Sequence, residues 1–212
     1  MTNPLIEQVM KGLRRNRMQA HYLDTAAEVP ALVEQMIPAG ATVACGGSQS
    51  LIQSGVMALL QSGKYNYLDR HDPAKTPRQV FLESFAADVY LCSANAVTRK
   101  GEVYNVDGNG NRVAALCYGP ESVILVVGVN KIVDDVKAAI ERVKRIAAPM
   151  NTKRLHCDTY CEQHGHCAAL HSDDACDGCA ADKRVCCDYL LLGQQRFPDR
   201  IKVILVGEDL GY

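Results

Sequence analysis

The first two-thirds of the chain alternate between helical and strand-like patterns of apolar residues. Apolar side chains recur at helical spacing over Leu5–Leu13, after an Asn3-Pro4 pair that suits the start of a helix. Short apolar runs at Ala41–Cys45, Val89–Cys92 and Ser122–Val127 instead indicate buried strands. Strands that alternate with helices at this spacing predict an α/β fold, with a mostly parallel sheet and helices on both faces.

The remaining elements continue this alternation. Polar and glycine-rich residues at 107–111 have turn chemistry, which predicts a hairpin between residues 101–106 and 112–116. Pro149 is expected to end the helix that precedes it, because a proline inside a helix removes a hydrogen bond. We also predict strands at 18–23, 65–68, 185–192 and 201–206, and helices at 25–36, 49–60, 76–87 and 132–143.

Length and composition favour one globular domain over residues 1–212. Apolar residues make up 48% of the chain and charged residues 22%, which is enough apolar surface for a core. A net charge of −1 argues against a nucleic acid or an anionic membrane as a partner. We find no apolar stretch long enough to span a bilayer and no apolar core of a signal peptide, so we expect a cytoplasmic protein.

Cysteines are concentrated near the C-terminus. Seven of the ten cysteines fall between Cys157 and Cys187. Because cytosolic thiols are kept reduced, a dense cysteine cluster in such a protein indicates metal binding rather than a disulfide framework. We therefore interpret residues 156–187 as a cysteine-rich, metal-binding insertion, too short to bury a core without a metal or the main domain.

The metal ligands are predicted from spacing. Cys176 and Cys179 form a C-x-x-C pair that can chelate one ion through a tight turn, and Gly178 gives that turn its backbone freedom. Cys186 and Cys187 are adjacent and point to opposite faces of a strand, so we choose only Cys186. The candidate ligands are Cys157, Cys161, Cys176, Cys179 and Cys186. They suit zinc or an iron–sulfur cluster equally, and free or paired cysteines remain the alternative.

A second candidate site follows the first buried strand. Gly46 and Gly47 allow the backbone to approach a ligand, and Ser48 and Ser50 add hydroxyl donors at the start of the next helix. The pattern matches neither a dinucleotide-binding nor a Walker loop. The alternative is a plain strand–helix turn that Ser48 caps.

Further polar residues follow the later strands, where open α/β sheets bind their ligands. A lysine near a helix start opposes the helix dipole, so an anionic ligand would account for Lys131, although a solvated lysine is the simpler alternative. The predicted ligand-binding set combines these positions with the glycine-serine loop: Gly46, Gly47, Ser48, Ser50, Asn95, Thr98, Asp107, Asn109, Arg112 and Lys131.

Two longer runs resemble a known family. Residues Ala94–Glu102 and Asn105–Ala114, together with Gly46-Gly47-Ser48 and Gly128–Val133, resemble the LUD-domain family of lactate-utilisation proteins. The similarity covers most of the first 150 residues and resumes in the last predicted strand. It implies the fold shared by glucosamine-6-phosphate deaminase, ribose-5-phosphate isomerase and CoA transferases. The cysteine segment resembles that of a subset of short members with a C-terminal cysteine motif.

The resemblance also implies a function. It points to a subunit or accessory factor in the oxidation of lactate or a related organic acid, with a small anionic ligand and iron–sulfur oxidoreductase subunits as partners. The alternatives are a stand-alone enzyme acting on a phosphorylated sugar, a CoA ester or a folate, and a non-catalytic metal- or redox-sensing module. A homo-oligomer is compatible with each of these functions.

Overall fold

The computed structural model describes residues 3–212 and contains two sheets. Within the described residues the strands are β1 (Gln19–Leu23), β2 (Thr42–Cys45), β3 (Asn66–Tyr67), β4 (Val89–Cys92), β5 (Ala96–Thr98), β6 (Val103–Asp107), β7 (Ser122–Gly128), β8 (Ile132–Val133), β9 (Asp188–Leu192) and β10 (Ile201–Val206). The larger sheet has the order β1-β10-β7-β4-β2-β3, and all of its strand pairs are parallel. The predicted parallel α/β architecture is therefore confirmed.

Helices connect most of these strands. They are α1 (Pro4–Arg15), α2 (Val29–Met36), α3 (Gln49–Gln53), α4 (Val56–Leu60), α5 (Pro77–Ser84), α6 (Asn111–Cys117), α7 (Val136–Arg142), α8 (Ala148–Leu155) and α9 (Tyr160–His164). The first helix starts where the sequence predicted, since the Asn3 side chain accepts a hydrogen bond from the Leu5 backbone N–H. Among residues 3–212, no helix has the length and apolar character needed to cross a membrane.

The two faces of the larger sheet carry separate hydrophobic cores. Because side chains alternate along a strand, neighbouring residues of β7 point to opposite faces. Val123 and Leu125 pack with apolar residues of α1 and α6 on one face. Ile124 and Val126 pack with α2, α3 and α4 on the other. The continuous apolar run that predicted a central strand thus reflects burial on both sides.

A smaller sheet with the order β8-β5-β6-β9 lies beside the carboxyl edge of the larger one. Strands β5 and β6 pair antiparallel, and so do β6 and β9, whereas β5 and β8 are parallel. This sheet packs against α7 through a third apolar cluster that includes Ala96, Tyr104, Val106 and Ala139. The sequence predicts segments 101–106 and 185–192 as strands but does not predict that they pair.

The predicted hairpin at residues 107–111 is wrong. Strand β6 is followed by helix α6 rather than by a second strand. Two local features start this helix: Gly110 has a left-handed backbone with φ of 69°, and the Asp107 carboxylate accepts a hydrogen bond of 2.8 Å from the Val113 N–H. Glycine and aspartate are common both in hairpins and at helix starts, so their chemistry did not distinguish the two.

The prediction that Pro149 ends a helix is also wrong. A π-helical turn, Val143–Ala147, joins α7 to α8, and the helical path continues to Leu155. Pro149 lies just after the π-helical turn, and the Lys144 carbonyl five residues before it accepts a hydrogen bond of 2.9 Å from the Cys167 N–H instead. The predicted helix at 49–60 is interrupted as well, because Gly55 adopts φ of 76° between α3 and α4.

Candidate functional site

Three neighbouring strands of the larger sheet bring polar residues to one edge. The carboxyl ends of β2, β4 and β7 lead into Gly47–Ser48, Ser93–Asn95 and Lys131, respectively. These residues line a cavity of about 480 Å³, which we call the basic cavity. Its position beyond the carboxyl ends of parallel strands is where open α/β sheets bind ligands.

The structure brings seven of the predicted ligand-binding residues to this cavity. Gly46, Ser50 and Thr98 are not among the lining residues. Ser50 is fully buried, and Thr98 donates a hydrogen bond to Glu102 in the turn after β5. The residues that do line the cavity are Gly47, Ser48, Asn95, Asp107, Asn109, Arg112 and Lys131.

The glycine-serine loop makes room for Arg70 and caps the following helix. A Cβ atom at Gly47 would lie 2.6 Å from a guanidinium nitrogen of Arg70, so the missing side chain makes room for that arginine. Ser48 caps α3, since its side chain accepts a hydrogen bond of 3.3 Å from the Leu51 N–H. The loop therefore leaves room for a cation at the cavity, and whether its backbone also contacts a ligand stays a prediction.

Lys131 is buried at the inner end of the basic cavity. Its side chain is 3% exposed, and its ammonium Nζ donates hydrogen bonds to Ser50 Oγ at 2.9 Å and to Ser93 Oγ at 3.1 Å. Within residues 3–212 no carboxylate forms an ion pair with it. Burial, followed by the positive charges of Arg142 and Arg112, lowers the pKa of Lys131 to about 7.

The pH dependence of stability should report this lysine. Its pKa is 10.5 in the unfolded chain and about 7 when folded, so between these values the unfolded chain binds more protons. Through this group, the free energy of unfolding therefore rises as the pH rises from about 7 towards 10.5. Urea denaturation at pH 7 and pH 9 measures that rise. The rise should be smaller in a Lys131→Met variant, and equal rises in both proteins would contradict the assignment.

Arg112 forms the floor of the cavity. Its guanidinium donates hydrogen bonds to Asp107 at 2.8 Å, to the Ser93 carbonyl at 3.1 Å, and to the side-chain oxygens of Asn95 at 2.9 Å and Asn105 at 2.8 Å. The Arg112 side chain is 14% exposed and that of Asp107 is 8% exposed. Its fifth N–H donates to the Val106 carbonyl at 2.8 Å, so every donor of this guanidinium has a protein partner. Arg112 therefore holds the ends of β4 and β6 together and is a structural component of the site.

Four basic residues of the cavity were not predicted. Arg70 follows β3, whereas Arg154, Lys183 and Arg184 come from α8 and the cysteine-rich segment. With Arg112 and Lys131 they give six basic side chains, against two aspartates, among the lining residues. No spacing pattern links these positions, so only the folded chain shows that they share a cavity. The excess of positive charge favours an anionic ligand.

The cysteine-rich segment borders a second, smaller cavity. Four cysteines line this cavity: Cys161, Cys167, Cys179 and Cys186. All of them except Cys167 are among the five predicted metal ligands. Cys157 is buried outside this lining, and Cys176 is exposed. In the part of the chain that the structure describes, no three His, Cys, Asp or Glu side chains are close enough together to hold one metal ion.

Comparison with known proteins gives the family. A DUF162 family protein from Deinococcus radiodurans is 18% identical, with a TM-score of 0.55, and the match covers 95% of this chain and 96% of that one. This likeness shows a shared fold. A second match, eIF2B delta from Chaetomium thermophilum, is 15% identical over 60% of this chain and 52% of that one, with a TM-score of 0.36. The comparison with curated proteins finds no match. The LUD domain family model matches residues 6–206, and the chain therefore belongs to the LUD-domain family.

Proposed function

We propose that this LUD-domain protein binds a small anionic organic molecule in the basic cavity. We further propose that it serves as a subunit or accessory factor in the oxidation of lactate or a related organic acid. The observation that carries the proposal is the buried Lys131 amine, which faces the cavity with two hydroxyl partners and no ion-pair partner within residues 3–212. A buried ammonium without a counter-charge is costly, and a bound carboxylate or phosphate would remove that cost.

The surrounding charges support the same ligand class. Arg70 and Arg154 line the cavity, and neither forms an ion pair within the described residues. The Arg154 guanidinium donates to Tyr212 Oη at 2.7 Å and to Asn151 at 2.7 Å, which fixes its direction while leaving its charge uncompensated. Guanidinium groups bind carboxylates and phosphates with two parallel hydrogen bonds, so these arginines suit the acidic end of an organic anion.

The proposed chemistry places the carboxylate of a 2-hydroxy acid beside Lys131. A bound carboxylate favours the protonated amine, whose pKa is about 7 without a ligand, so Lys131 holds the ligand as an ammonium. Oxidation of a 2-hydroxy acid to a 2-oxo acid removes two electrons and two protons. The two electrons would pass to iron–sulfur oxidoreductase partner subunits, the partners that the family resemblance implies, and the hydroxyl proton and the C–H proton would leave to solvent.

The size of the basic cavity supports a second candidate function. At about 480 Å³ it is in the range of sites for drug-sized ligands and is larger than a three-carbon acid would fill. A phosphorylated sugar, a CoA ester or a folate would occupy more of it and would still present an anion to the basic side chains. Under this alternative the protein is a stand-alone enzyme that acts on such a compound.

A thermal-shift screen distinguishes the two candidates. A ligand at a hundred times its dissociation constant stabilises the folded state by about 2.7 kcal/mol, which corresponds to roughly 5–10 °C for a chain of this length. Stabilisation by lactate or pyruvate supports the organic-acid function. Stabilisation by sugar phosphates, CoA esters or folates alone supports the second candidate. If no organic anion stabilises the protein, the assignment of the basic cavity as an anion site is wrong.

Replacing Lys131 tests the site itself. A Lys131→Met variant keeps the length of the side chain but removes its charge and its hydrogen bonds. We expect its affinity for the stabilising anion to fall about 10- to 100-fold, which is typical for the loss of one charged hydrogen bond. Lys11→Met is a matched control, because Lys11 is exposed on α1 and lies outside the cavity lining. Equal affinities in the two variants would remove Lys131 from the binding site.

A further inference from the structure

The smaller cavity selects four of the seven clustered cysteines. Cys161, Cys167, Cys179 and Cys186 line this space of about 20 Å³, which has room for about one water-sized group. Most of the rest of its wall is apolar and comes from the third hydrophobic cluster and its surroundings, including Tyr104. Four of the seven cysteines of this segment therefore line one small space. We call these residues the thiol cluster.

No histidine lines the smaller cavity, so the nitrogen and sulfur ligands that zinc prefers are represented there by cysteine sulfur alone. Its one carboxylate, Asp177, already accepts a hydrogen bond of 2.5 Å from the Ser172 hydroxyl. The four imidazoles of this region, which could replace a thiolate in a zinc site, lie elsewhere: His156, His164, His166 and His171. Four thiolates without other ligands match both the all-cysteine zinc sites and the iron–sulfur clusters of proteins.

Two of the four sulfur atoms have a hydrogen-bond donor beside them. Cys161 Sγ lies 3.4 Å from Thr152 Oγ1 and 3.3 Å from Thr159 Oγ1. Because the Thr152 hydroxyl donates to the Pro149 carbonyl at 3.0 Å, the hydroxyl that can donate to this sulfur is that of Thr159. Cys186 Sγ accepts a hydrogen bond of 3.2 Å from Nε of Arg184. Donors around a sulfur stabilise its negative charge and orient it towards a metal, as partners behind metal ligands do.

The other three cysteines are placed differently. Cys157 is buried but does not line the cavity, and Cys176 is exposed. Cys187 is exposed, and its thiol donates to the carbonyl of Arg184 at 3.4 Å, away from its neighbour Cys186. Each of the three is close in sequence to a cluster member, so they serve as matched controls.

We propose that Cys161, Cys167, Cys179 and Cys186 together bind one metal centre, either a zinc ion or an iron–sulfur cluster, through four thiolates. The proposal goes beyond the function proposed above. It also replaces Cys157 and Cys176 of the ligand set predicted from spacing with Cys167. The four cysteines line the same cavity, but among the described residues no three metal-ligating side chains are close enough together to hold one ion. Binding of a metal centre would therefore have to bring the thiolates closer together.

This centre would adjoin the basic cavity. Cys186, Val143 and Ala148 line both spaces, so a single layer of residues separates the thiol cluster from the bound anion. Arg184 connects them further, because it lines the basic cavity and donates to the Cys186 sulfur. A metal at the thiol cluster therefore fixes the part of the cysteine-rich segment that closes the basic cavity.

The test is metal and sulfide analysis of full-length protein purified without oxygen, with a visible absorption spectrum. Iron with inorganic sulfide and a broad brown absorbance identifies a cluster, and zinc at one per chain without colour identifies a single ion. Either result supports a four-thiolate centre if the variants below agree. Protein that carries neither metal, and takes up neither on anaerobic reconstitution, overturns the proposal.

Seven single Cys→Ser variants identify the ligands. Substitution of Cys161, Cys167, Cys179 or Cys186 should lower the metal content at least about tenfold. The control variants Cys157→Ser, Cys176→Ser and Cys187→Ser should keep the wild-type content. Full metal in a thiol-cluster variant, or its loss in a control that is still folded by circular dichroism, contradicts the ligand set. Anion binding is measured in parallel on wild-type protein, so a failure of the metal proposal is distinguishable from a failure of the anion site.

Discussion

An Arg112→Met variant is expected to lose about 3–5 kcal/mol of unfolding free energy, the usual result of breaking a buried ion pair from one side. The substitution leaves the buried Asp107 carboxylate without its cation, although that carboxylate still accepts from the Val113 N–H. It also removes the donors that reach the Asn95 and Asn105 side-chain oxygens. Urea denaturation at pH 7, fitted to a two-state transition, measures this loss.

An exposed ion pair provides the control for this variant. Arg99 contacts Asp134 at 2.7 Å, but the two side chains are 47% and 70% exposed. Because solvent screens such a pair, Arg99→Met should change the free energy of unfolding by no more than about 1 kcal/mol. If the Arg112 and Arg99 variants lose equal stability, Arg112 does not hold the floor of the cavity as the hydrogen bonds indicate.

A Gly101→Ala variant is the second substitution with a large expected effect. Gly101 has φ of 77°, and a Cβ atom there would lie 2.2 Å from the backbone of Gly12 in α1. The strained backbone and the collision together should cost about 2–5 kcal/mol. The reason is that α1 packs backbone to backbone on the turn after β5, where Asn16 Nδ2 also donates to the Gly101 carbonyl at 2.8 Å.

Gly40→Ala separates the two contributions. Gly40 has a similar φ of 72°, but no atom lies within 4 Å of the Cβ that alanine would add. This variant therefore pays the backbone cost of about 1–2 kcal/mol without the collision. Chemical denaturation of both variants should show the larger loss for Gly101→Ala. Equal losses would mean that α1 does not make the close contact.

The larger sheet could be predicted from sequence because its strands are buried on both faces. Such strands appear as uninterrupted apolar runs, and Ser122–Val127 is the clearest of them. The sequence also predicts that Gly47, Asn95 and Lys131 lie close together. Parallel strands end at the same edge of a sheet, so the residues that follow them meet there.

The smaller sheet could not be predicted in this way. Strand β9 pairs with β6, with Tyr104 opposite Leu191, across a sequence separation that includes α6, β7, α7 and the cysteine-rich segment. A pattern of apolar residues identifies a strand but not the strand with which it pairs. Pairing depends on which other elements of the fold pack beside it. Arg154 and Arg184 reach the basic cavity through the same long-range packing, and their local sequence contains no signal for it.

The choice among the clustered cysteines shows the same limit. The C-x-x-C spacing predicts Cys176 and Cys179 as a pair of metal ligands, but only Cys179 lines the smaller cavity. Spacing tells which thiols can reach one ion, whereas the direction of each side chain depends on the fold of the surrounding loop. Cys167 is absent from the set predicted from spacing, although it lines the same cavity.

Calorimetric titration of the stabilising anion at pH 8.5, in two buffers of different ionisation enthalpy, tests the central claim most directly. The claim is that Lys131 provides the counter-charge of the bound anion. Its pKa of about 7 leaves the amine largely neutral at this pH, so binding should take up close to one proton per ligand as the ammonium forms. The Lys131→Met variant should bind more weakly and take up none. Tight binding without proton uptake by the wild-type protein, or equal uptake by the variant, would contradict the claim.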